Sequence, residues 1–160
     1  MKINMDPLFI YLLIMMAVLL PLACTPLAAN DSKQSASFTN KSWKLQSLTV
    51  TPGVDWDLDG KKETDILATM EDCEKDDLLL LKNDNTIMRN AGKLKCDEND
   101  EQQKKTGSWS YDKASKKLTI KEDNDAQVLT VVESNANRLV VTFTWKATNG
   151  TPHKMTAVYH

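Results

Sequence analysis

Residues 55–60 run Asp-Trp-Asp-Leu-Asp-Gly, three carboxylates at alternate positions followed by a glycine. At that spacing a loop wraps oxygen ligands around a calcium ion: Asp55, Asp57 and Asp59 through side chains, Lys61 through its backbone carbonyl. The place where such loops carry a bidentate Glu is held by Ile66, so Asp65 or Glu63 is the nearest replacement. Three like charges so close repel one another without a cation, yet a solvated loop screens them well. Two readings therefore fit, a calcium site and a ligand-free acidic turn.

Other chemistry is sparse. His153 and His160 are the only imidazoles, and no G-x-S-x-G or H-E-x-x-H accompanies them. The expectation is a protein that is not an enzyme. Cys24, Cys73 and Cys96 are the thiols. Cys73 and Cys96 have no His nearby, and the 22 residues between them hold no further CxxC, which argues against zinc. In an oxidising compartment they should form a disulfide. Trp43, Trp109, Tyr111, Phe143 and Trp145 form an aromatic set that would either line a pocket for a small apolar ligand or fill a core.

The N-terminal segment sets the compartment. Residues 8–22 are fifteen residues without a charge. As a helix they would span about 22 Å, short of a hydrocarbon core of roughly 30 Å. That suits a secretory signal better than a permanent anchor. Residues 21–24, Pro-Leu-Ala-Cys, resemble the lipobox of bacterial lipoproteins. The resemblance implies a signal peptide over 1–23 and acylation of Cys24, which would tie the protein to the outer membrane of the cell envelope. A competing cut after Ala29 would release it as a secreted protein. Residues 24–40 are small and polar and read as a flexible tether, leaving 41–160 as one domain.

Within that domain the pattern is β. Leu139, Val141, Phe143 and Trp145 alternate strictly, as do Leu118 and Ile120 within residues 117–122. Trp43 and Leu45 share one parity and Leu48 and Val50 the other, which predicts a bulge between them. Asn83-Asp84-Asn85 and Asn149-Gly150 are turn signals. Residues 64–70 place Ile66, Leu67 and Met70 at helical spacing behind Thr64 or Asp65 as N-cap. The sum is an all-β chain: an up-and-down antiparallel barrel of about eight strands, closed to remove its edges, with one short helix after the first strand. A net charge of −2 gives no sign of a nucleic-acid partner.

From Ser42 onward the chain resembles the lipocalin-like domain of small secreted or lipidated bacterial proteins. The match rests on Trp43-Lys44-Leu45, Cys73-Glu74-Lys75-Asp76-Asp77, the hairpin over 79–88, Lys95-Cys96-Asp97 and Thr106-Gly107-Ser108-Trp109. It departs at Lys41, where lipocalins have Gly, and Arg138 is the candidate for the basic residue that covers their first Trp. The resemblance implies a barrel that binds a small apolar ligand or serves as a structural module of the envelope. The alternative is a protein-interaction module that uses its loops, with or without calcium.

Overall fold

The computed structural model describes residues 36–160. The signal peptide over 1–23, the lipidation of Cys24 and the tether as far as residue 35 lie outside the described residues.

Nine strands follow among the described residues: β1 Ser42–Val54, β2 Glu63–Asp65, β3 Leu78–Leu81, β4 Thr86–Asn90, β5 Gln103–Asp112, β6 Lys117–Glu122, β7 Asp125–Ser134, β8 Leu139–Lys146 and β9 Pro152–Tyr159. From β3 to β9 each strand pairs antiparallel with the next, and β1 joins both β3 and β9. The result is a closed eight-stranded antiparallel barrel, as the alternation predicts. β1 is long enough to serve two partners on one edge: Ser42–Lys44 pair with β3, while Thr49 and Val54 pair with β2. A register shift between Leu45 and Ser47 is the bulge that turns both Trp43 and Val50 into the core.

Two segments differ from their sequence expectation. Residues 64–70 do not form one helix. Glu63 and Asp65 pair with β1, the Ile66 amide donates to Leu48 O at 2.8 Å, and a single 3₁₀ turn occupies Leu67–Thr69. The exposed edge of β1 competes successfully for those backbone groups. A four-residue helix, α1 (Asp72–Lys75), follows, closed at its start by the reciprocal bonds of Glu71 and Glu74. The tether also ends earlier than residue 40. Phe38 is only 1% exposed and packs edge-on against Trp109 and Tyr111, with ring centroids at 5.8 and 5.1 Å. Its carbonyl accepts the Trp43 indole N–H at 2.8 Å, and the Asn40 amide donates to Leu81 O. Residues 36–40 thus plug the barrel at the end where β1 begins, because a single aromatic gains more by burial than a short polar stretch gains by staying loose.

The interior is packed. Trp43, Leu81, Ile87, Trp109, Leu139 and Val141 belong to one buried cluster, and Val50, Ile66 and Met155 to a second, with Phe143 touching both. The expected Cys73–Cys96 disulfide is present, its Cα atoms 5.3 Å apart, and fastens α1 to the β4–β5 connection. Beside it Asp76 Oδ2 accepts the amides of Lys93 and Leu94 at 2.7 and 3.2 Å. Gly92 makes that approach possible. Its φ is +60°, and a Cβ there would sit 2.4 Å from Asp76 O.

Candidate ligand-binding site

At the other end of the barrel β1 and β8 finish and β9 starts. An open cleft of about 650 Å³ lies there. Strand pairing sets its floor: Trp145 on β8 stands opposite His153 on β9. Their rings are 5.6 Å apart and tilted by 49°. His153 is buried, and its Nδ1–H donates to Pro52 O at 2.9 Å, which fixes the ring against the end of β1. The 55–62 loop between β1 and β2 supplies the wall. From it Trp56, 39% exposed, leans on Trp145 at 5.2 Å with a 50° tilt. Asp55, Leu58, Lys62 and, from the β8–β9 turn, Asn149 and Thr151 complete the rim. Three rings in series with a few polar groups around them form a surface for a flat or apolar body with a polar edge.

The loop brings together part of the calcium set that its spacing suggests. Asp59 turns to Lys61, whose Nζ lies 2.7 Å from Asp59 Oδ2, and the hydrogen bonds of Lys61 hold the Asp59 carboxyl below its ordinary value. Asp65 accepts the Ala68 amide at 3.3 Å and stays with the 3₁₀ turn. Lys61 contributes its amide, to Asp59 Oδ1, as a donor. The carboxylates that do converge are Asp55, Asp57 and Glu63, which can each offer an oxygen within 4.8 Å of the others. Asp55 Oδ2 accepts the Gly60 amide, Glu63 Oε2 accepts the Trp56 amide, and Asp55 Oδ1 is buried without a hydrogen-bond partner. Glu63 was legible only as a substitute for the missing bidentate ligand. Its β-pairing with Val54 is what brings it back to Asp55.

A second polar group sits on the inward side of β4 and β6. Arg89 Nε and Nη2 donate to the two oxygens of Glu122 at 2.9 and 2.7 Å, and Thr106 Oγ1 also bonds Glu122. That pairing holds the Glu122 carboxyl below its ordinary value, while burial pushes the nearby Tyr159 phenol up. Arg89 makes a two-point bond to the Glu122 carboxylate.

Of the five aromatics named from sequence, Trp145 lines the cleft. Trp43 and Trp109 are core residues whose indole N–H groups go to Phe38 O and Lys82 O. Tyr111 packs on Phe38, and Phe143 bridges the two clusters. Arg138 pairs with Glu133, and it is Lys41 whose Nζ lies 5.7 Å from the Trp43 ring centroid. Trp56 and His153 were not visible as site residues, since only barrel closure brings them together.

Over residues 39–141 the sequence matches the lipocalin-like domain. The chain belongs to the lipocalin-like domain family. Among solved structures, this lipocalin-like domain is similar to bovine odorant binding protein in complex with a selenium-containing odorant, at 10% identity and a TM-score of 0.39, over 77% of this chain and 69% of that one. No curated protein sequence matches it.

Proposed function

We propose that this lipocalin-like protein binds a small, largely apolar molecule at the open end of its barrel, against Trp56, Trp145 and His153. The observation that carries the reading is an open cleft walled by three rings in contact, Trp56 on Trp145 and Trp145 on His153. We read the cleft as a binding site rather than a catalytic one because no G-x-S-x-G or H-E-x-x-H motif accompanies His153. The Cys73–Cys96 disulfide and the charge-free stretch over 8–22 support an exported protein, and Cys24 is the residue we assign to lipid attachment at the envelope.

The neutral fluorophore N-phenyl-1-naphthylamine tests the site. It should brighten on binding the intact protein, and Trp145→Ala should weaken binding by about tenfold, the worth of one lost aromatic contact. Val128→Ser, on the exposed outer face of β7, should leave binding unchanged. Equal binding by all three proteins would move the site elsewhere. For the anchor, Cys24→Ala should shift the protein from the membrane to the soluble fraction, and an unaltered mass at Cys24 in the native protein would exclude acylation.

A further inference from the structure

We propose that the cleft selects a small organic cation, an alkylated or quaternary ammonium group on an apolar body. This inference rests on the cleft being a ligand site. It adds the charge of the ligand, and charge is set by groups that the aromatic floor alone does not determine.

The indole of Trp56 is flanked in sequence by Asp55 and Asp57, and Glu63 folds back beside them, so three carboxylates gather behind one wall of the cleft. Asp59, by contrast, is neutralised by Lys61. Asp55 itself lines the cleft, and its Oδ1 is buried with no hydrogen bond to spread its charge. Within the lining itself Asp55 is matched by the ammonium of Lys62, so the excess of negative charge comes from Asp57 and Glu63 clustered with Asp55. At the margin of a low-dielectric wall, charges within a few ångströms of a ligand are only partly screened, so the excess of carboxylates favours a positive guest. The rings act in the same sense. Trp56 and Trp145 meet at 5.2 Å with a 50° tilt, and indole faces attract cations most strongly of the aromatic side chains. A quaternary ammonium suits such a corner better than a metal ion, because its methyl groups contact the rings directly.

Three isosteres that differ only in charge test the proposal: choline, neutral 3,3-dimethylbutan-1-ol and anionic 3,3-dimethylbutanoate, each used to displace N-phenyl-1-naphthylamine from the intact protein. Choline should displace the fluorophore at a concentration about tenfold lower than the alcohol, with the carboxylate weakest. Raising the salt should reduce the advantage of choline and leave the alcohol unaffected. Asp55→Asn with Glu63→Gln should shrink the choline-to-alcohol ratio towards one, and Lys62→Ala should enlarge it. Should the double variant fail to fold, the isostere ratio and salt dependence of the native protein still decide the matter. Equal displacement by choline and the alcohol, or preference for the carboxylate, overturns the proposal while leaving the apolar cleft intact. Loss of any Trp145-dependent binding of the fluorophore overturns both.

Discussion

Arg89 and Glu122 show how much one side chain's charge state matters to this barrel. Glu122 is held ionised by a two-point bond, chiefly to Arg89, and its folded pKa lies below the ordinary 4.5. A depressed acid contributes stability that is complete above its unfolded value and is lost as pH falls through the folded one. Arg89 is about half exposed, so solvent screening reduces the effect. Glu122→Gln should cost about 1 kcal/mol at neutral pH and nothing once both states are protonated. Urea unfolding of native and variant protein at neutral and progressively lower pH reads the difference; a deficit that does not shrink as the pH falls would place its origin outside the ion pair. Gly92 makes a different single-residue prediction. Alanine there meets the Asp76 carbonyl and a left-handed backbone, so Gly92→Ala should destabilise by about 1–3 kcal/mol and lower the melting temperature.

At the scale of elements, α1 and the β4–β5 connection are short pieces with few buried residues, and the covalent link between them carries much of their order. Cys73 and Cys96 lie 23 positions apart in sequence, and closing that loop is worth about 3 kcal/mol in the chain-entropy account. Cys73→Ser with Cys96→Ser should lower stability by about that amount while far-ultraviolet dichroism still reports the barrel. Loss of the β signal altogether would mean that the clasp governs the barrel as well. This pairing was legible in sequence because, with Cys24 read as acylated or cleaved away, Cys73 and Cys96 were left to each other. The helix was not. Apolar residues at helical spacing over 66–70 had to compete with the unpaired edge of β1, and an edge belongs to no local window. Of the calcium set, Asp55 and Asp57 come together with Glu63, while Asp59 and Asp65 bond to groups close in sequence, Lys61 and the Ala68 amide.

For the molecule as a whole, strict alternation in β6 and β8 and the change of parity in β1 were enough to indicate a closed barrel with a bulge. They could not show that Phe38 closes one end, because an isolated aromatic in a polar run has no period. Phe38→Ala provides the measure. If residues 36–40 were tether, truncation would change nothing; as a plug buried to 1% exposure, its loss should cost about 3 kcal/mol in urea or thermal unfolding. The cleft was equally illegible, since Trp56 and His153 sit on segments that meet only after β9 has returned to β1.

The β1–β9 seam, running from Leu45↔Tyr159 to Thr51↔Lys154, also governs how hydrogen exchanges with solvent. A sheet with a free margin loses its outermost amides by fraying. Here the margin is sewn shut, so the amide protons along the seam should resist deuterium until the entire molecule opens, all at one rate. β2, three residues held on one side, should exchange early and alone. Mass spectrometry of peptides from the two regions would separate them, and an early-exchanging seam would mean that the barrel breathes there.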